Sequence, residues 1–182
     1  YIRPNIMMNG GGDLATVLCK AVSDVQGTAT FWMHRMGNSG SGRLFKAEDM
    51  GENPTIMVET DTLDNLVQQY GKPDLMKVHI EGAEVLMIRG SHKVFEGEDA
   101  PTIVIEFHLP DIAAIAPGTS GDDLIKKLLQ YGYKVKTLTE PKYKESMWHI
   151  FYKRNLSPES LALFTPETQV LGGYYAHGEL IQ

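Results

Sequence analysis

The chain has 182 residues, 42% of them apolar and 22% charged, with a formal net charge of -6. That composition is globular and supplies one sizeable core, while an acidic balance without a basic stripe excludes nucleic acid as the main partner. A single cysteine, Cys19, excludes a disulfide framework and a cysteine-based zinc site, and no apolar run approaches the roughly 20 residues that span a membrane, so a cytoplasmic location is expected.

The first residue is Tyr1, no signal peptide is visible, and the opening segment to Asn9 reads as the tail of a helix ending at Gly10-Gly11-Gly12. Thr16–Ser23 is β-rich and predicts a strand. A turn over Asp24–Gly27 and a second strand over Thr28–His34 predict a hairpin-like pair. Gly37-Asn38-Ser39-Gly40-Ser41-Gly42 reads as a flexible loop, with the composition of either a cap over a ligand or a plain solvent loop.

Thr55–Glu59 is a short strand. A helix then starts behind a cap at Thr60, Asp61 or Thr62, burying Leu63, Leu66 and Val67 and ending at Gly71-Lys72-Pro73. Leu75–Ile80 reads as a buried parallel strand that turns polar at His79 and Glu81 and breaks at Gly82. A helix over Ala83–Phe95 follows, then a second buried strand, Thr102–His108, again polar at its end. Asp122–Tyr131 is an amphipathic helix with Leu124, Ile125, Leu128 and Leu129 inside. Tyr133–Leu138 and Met147–Lys153 predict two strands joined by a polar connection. The tail over 155–182 is irregular, with a short helix opening at Ser157-Pro158-Glu159.

Helices between apolar strands predict right-handed crossovers and an α/β fold whose sheet is mostly parallel, with an antiparallel last strand. In such sheets ligands bind at the carboxyl ends of strands. His79 and Glu81 end one strand, and Glu106 and His108 end the next. Residues two apart on a strand share a face, so each pair is a candidate for the cleft. A neutral histidine suits proton abstraction because its ordinary pKa lies near 6.5. The competing structural roles are a packed His79, a Glu81 that accepts from backbone N–H groups where strand meets helix, and a Glu106 that pairs with Lys77. Glu84 is expected to favour a helix N-terminus. His34, His92, His149 and His177 show no metal-ligand spacing, and no metal is expected.

Val58–Leu66, then Leu75-Met76-Lys77-Val78-His79-Ile80-Glu81-Gly82-Ala83-Glu84, then Arg89-Gly90, then Thr102–His108 resemble FkbM-type methyltransferases. That family carries a T-L-D helix start, a K-I-D-V-E-G-x-E strand end and an E-x-H strand end in this order. The resemblance extends over about residues 5 to 153. It implies an S-adenosylmethionine-dependent enzyme on a Rossmann-like sheet, methylating a hydroxyl of a small-molecule or glycan acceptor. His79 and Glu81 would be catalytic. Glu106 and His108, with Asn38 and Ser39 in the loop resembling the family's small-residue loop, would bind the acceptor. Ala21 and Val22, at a strand end that touches adenine in Rossmann-like methyltransferases, would contact the cofactor; the bare sequence reads them more readily as core. Two departures stand out. His79 occupies the place of the family's aspartate, and the family's glycine-rich cofactor turn and following acidic residue are absent, so residues 1–154 read as an N-terminally incomplete methyltransferase domain. Two alternatives accompany this reading: a non-catalytic interaction domain, and a two-histidine, one-carboxylate iron oxygenase built on His79-x-Glu81 with His108 or His149. The latter arrangement usually lives on a β-barrel, which the helical segments oppose. The oligomeric state is open.

Overall fold

A computed structural model describes residues 2–33, 42–44, 54–138 and 146–154, together with the backbone of 175–176 and 179–180. The helices are α1 (Ile2–Met8), α2 (Leu63–Tyr70), α3 (Glu84–Arg89), α4 (His92–Glu96), α5 (Leu109–Ile115) and α6 (Gly121–Gln130). The strands are β1 (Lys20–Ser23), β2 (Gly27–Trp32), β3 (Thr55–Thr62), β4 (Leu75–Val78), β5 (Thr102–His108), β6 (Lys134–Thr137), β7 (Ser146–Tyr152) and the short pair β8 (Tyr175–Ala176) and β9 (Glu179–Leu180). The chain is a mixed α/β protein.

Two sheets carry the fold, in the orders β1-β3-β2 and β4-β5-β7-β6. Parallel pairing joins β1 to β3 and β4 to β5; β2 with β3, β5 with β7 and β6 with β7 are antiparallel. The described sheets are therefore mixed rather than mostly parallel. β1 and β2 are not a hairpin: β3 inserts between them, pairing Glu59–Thr62 with β1 on one edge and Thr55–Thr60 with β2 on the other. Likewise β7 returns antiparallel and separates β6 from β5.

The core is built around β5, whose inward face carries Ile103, Ile105 and Phe107, all fully buried. Val85, Ile88, Phe95, Leu128 and Phe151 close over it. Strict alternation along β5 sends Glu106 and His108 to the opposite, half-buried face. α6 begins with a capping box, in which Ser120 and Asp123 satisfy each other's backbone N–H groups.

The helix expected over Ala83–Phe95 is two helices. The chain breaks at Gly90-Ser91, and α4 is capped from outside: Asp64 on α2 accepts from the N–H groups of Lys93 at 3.1 Å and Val94 at 2.9 Å. Thr62 meanwhile caps α2 by accepting from Asn65 N–H at 3.2 Å. The Thr62-Leu63-Asp64 segment thus starts one helix and caps another, with Leu63 buried between.

Gly90, at the end of α3, packs directly on the end of β1. A Cβ there would sit 2.3 Å from the Ser23 carbonyl oxygen and 3.1 Å from Asp24 Cα. Both are backbone atoms and cannot swing aside. Gly90→Ala is expected to cost about 1–3 kcal/mol through overpacking, read as a lower urea midpoint at unchanged slope. An unchanged midpoint would show that β1 does not pack this closely on α3.

No helix among the described residues is long and apolar enough to cross a membrane. The loop residues Asn38 and Ser39, and the helix expected at 157–159, lie outside the described residues.

Candidate active site at the ends of β4 and β5

The strand expected to run through Ile80 ends at Val78. His79 and Glu81 therefore lie beyond β4, and the pleat does not align them. A turn does. Glu81 takes φ +50° and Gly82 φ +88°, two successive left-handed residues that fold the chain back at the strand end. Gly82 is also packed against α5: a Cβ at this position would lie 2.5 Å from Asp111 Cβ.

The turn brings His79 Nε2 to 3.2 Å from Glu81 Oε1, and β5 brings Glu106 Oε2 to 3.0 Å from the same nitrogen. The imidazole is 41% exposed, while Glu81 and Glu106 are 15% and 12% exposed. The hydrogen bond to Glu81 raises the His79 pKa above its ordinary value. Glu106 adds to this, against partial burial and the charge of Lys77. The same bond holds Glu81 below the usual carboxylate range. Glu106 is fixed in turn by the Ser146 hydroxyl, which donates to Oε1. In the β5–β7 register Glu106 stands opposite Trp148, so the indole lies on the same face. Its ring meets the His79 ring edge-on at 5.8 Å, and Lys77 Nζ sits 5.4 Å from the Trp148 ring. Lys77 thus packs on the indole; its pairing with Glu106 does not form.

His108 ends β5 and leads directly into α5, so Asp111 comes round beside it. His108 Nδ1 lies 2.7 Å from Asp111 Oδ2, and Arg43 Nε lies 3.1 Å from the same oxygen. Burial pushes the Asp111 pKa up, against the pull of His108 and Arg43. Ligand atoms of Glu81, His108 and Asp111 all fall within 4.8 Å of one another. Glu81 therefore links the His79–Glu106 contacts to the His108–Asp111 contacts, and the four residues at 79, 81, 106 and 108 share one polar cluster.

The role of satisfying backbone at the strand end belongs to Glu84, whose Oε1 accepts from Ile80 N–H at 3.0 Å. Glu84 is fully buried, and burial pushes its pKa up to about 7. His149 lies away from this cluster, on the core side of β7. Its Nδ1 is 3.1 Å from Thr137 Oγ1, and burial lowers its pKa to about 4. The iron set using His149 does not assemble, and the mixed sheets are not a β-barrel. Ala21 and Val22 are half-buried on β1, with Val22 against the hydrophobic core.

Sequence does not single out Asp111, Arg43 or Ser146, and reads Trp148 as a packing residue only. Only Asp111 had a readable signal: Pro110 and Asp111 in the first turn of α5 mark a helix start. The contacts of the other three depend on strand pairing or on the loop returning from β2.

A family model described as the methyltransferase FkbM domain matches residues 2–135, from α1 into β6 and through His79, Glu81, Glu106, His108 and Asp111. No curated protein matches the chain, and no solved structure does.

Proposed function

The chain belongs to the FkbM methyltransferase domain family, and on that footing we propose that it transfers a methyl group from S-adenosylmethionine to a hydroxyl of a small-molecule or glycan acceptor. The observation that carries this reading is His79, held between two carboxylates at 3.2 and 3.0 Å with 41% of its side chain exposed. Transfer to oxygen forms a C–O bond and breaks the methyl–sulfonium bond. The donor leaves as a neutral thioether, and the hydroxyl proton goes to a base. Carboxylates that accept from Nε2–H select one imidazole tautomer, leave Nδ1 as that base and stabilise the imidazolium that forms. In this reading Glu81 and Glu106 orient His79, and Ser146 keeps Glu106 in place.

Glu106, His108 and the Trp148 ring line the acceptor side, and Asn38 and Ser39, by the family resemblance, serve the acceptor as well. Ala21 and Val22, within β1, serve the adenine. The test uses a donor carrying a deuterated methyl group and a panel of alcohol-bearing acceptors, read by mass spectrometry. The label is expected on oxygen. Label on nitrogen or carbon instead would overturn the hydroxyl assignment.

A further inference from the structure

We propose that Glu84 is a positioning residue for His79: through the Ile80 amide it fixes the turn that sets Glu81 against the imidazole. The ladder between β4 and β5 ends at Val78, so residues 79–82 lie beyond the hydrogen bonds that hold the strand. Glu81 nevertheless takes φ +50° there, a left-handed conformation that a residue with a side chain keeps only where its surroundings determine it. Ala83 N–H closes the turn from one side by donating to the Ile80 carbonyl oxygen at 3.2 Å.

Glu84 holds the turn from the other side. Its side chain is fully buried at the start of α3, and its Oε1 accepts from Ile80 N–H at 3.0 Å. That N–H lies in the peptide plane that joins His79 to Ile80, so one bond fixes where the imidazole leaves the backbone and where Glu81 follows. Burial is the largest influence on the Glu84 pKa and raises it; the N–H groups of Ile80, Glu84 and Gly82 oppose it. Amides from the whole turn thus converge on one carboxyl. On a helix otherwise buried through Val85, Met87 and Ile88, a carboxyl is a costly filler unless amides need it. The effect is felt at His79. Its raised pKa comes first from the bond to Glu81 Oε1 at 3.2 Å, and that bond lasts only while the turn is held. Glu84 itself is sealed from solvent and acts through the backbone alone.

The inference rests on the methyl-transfer reading for its effect on rate, but its effect on the imidazole is read without donor or acceptor, by an NMR titration of His79. Glu84→Met keeps the length of the side chain and removes the acceptor. In that variant the His79 pKa is expected to drop toward its ordinary value near 6.5, and kcat to fall about tenfold to a hundredfold at unchanged KM. Glu84→Gln still offers a carbonyl oxygen to Ile80 N–H and should keep both the raised pKa and the rate. Both variants are neutral at position 84, so the comparison isolates the acceptor from the charge. Glu106 and Lys77, the other charged groups facing the ring, are the same in each. A His79 pKa in folded Glu84→Met equal to that of the native chain overturns the proposal. If Glu84→Met does not fold, amide hydrogen exchange of the unaltered chain decides. Ile80 N–H should be protected like the amides of β5, and exchange as fast as a solvated loop overturns the proposal. A His79 response as expected, with no acceptor methylated, supports the positioning role and removes only the methyl-transfer reading.

Discussion

His79→Gln is expected to lower kcat for methyl transfer by about a hundredfold to ten-thousandfold, the range a positioned general base contributes. Glutamine keeps a donor for Glu81 and Glu106 but cannot take up the acceptor's proton. Because His79 is 41% exposed and its partners are carboxylates at the rim of the sheet, stability should change by no more than about 1 kcal/mol, and KM should hold. Two further readouts separate chemistry from structure. Added imidazole should restore part of the rate to His79→Ala, and Glu106→Gln should cost less than His79→Gln because Glu81 still orients the ring. An undiminished kcat in His79→Gln, or a loss that follows the melting temperature, would remove His79 from the chemistry.

The second large effect concerns stability and pH. Glu84 is fully buried at the start of α3 and His149 is fully buried on β7. Burial disfavours the charged form of each, so the acid moves from 4.5 up to about 7 and the base from 6.5 down to about 4. The signs are opposite. Between pH 4.5 and 7 the folded chain holds the Glu84 proton that the unfolded chain has lost, so the Glu84 contribution falls as pH rises. Between pH 4 and 6.5 the unfolded chain holds a His149 proton that the folded chain excludes, so the His149 contribution is lost as pH falls. Each slope is about 1.4 kcal/mol per pH unit, and across the shared window they oppose each other. Glu84→Gln should therefore gain stability relative to the native chain by about 3 kcal/mol between pH 4.5 and 7. His149→Asn should lose a constant amount through poorer packing yet shed the acid-side decline. Urea denaturation at a series of pH values reads both. Parallel curves for Glu84→Gln and the native chain would show that Glu84 is not held protonated.

How far sequence reaches in this chain depends on how local each feature is. β5 is bounded at Thr102 and His108 in both readings, because a run of β-branched and aromatic residues between Pro101 and Leu109 needs no partner to declare itself. α2 and its cap are equally local, since Thr62 reaches a backbone group only three residues away. The hidden features are those that distant residues decide. Nothing near Gly90 announces that Asp64, from another helix, will cap α4 and split the expected long helix. Nothing near Thr28 announces that β3 will come between β1 and β2. At the site, the polar residues ending two strands were legible as a set. Their geometry was not, because His79 and Glu81 meet through a left-handed turn past the strand end, and Asp111 joins them from a helix that the alternation of β5 gives no hint of.

Burial along β3 is graded. Its first residues, Thr55, Ile56 and Met57, stand in solvent, whereas Thr60 and Asp61 are closed in beside α2. The protein is thus anchored at one end of its smaller sheet and loose at the other. Thermal breathing should begin at the start of β3, whose first three residues are exposed, and die away before the strand termini that face α3. At the outer end of β2 Trp32 exchanges backbone hydrogen bonds with Arg43, whose Nε lies 3.1 Å from Asp111 Oδ2, so motion at that end reaches the polar cluster through a single ion pair.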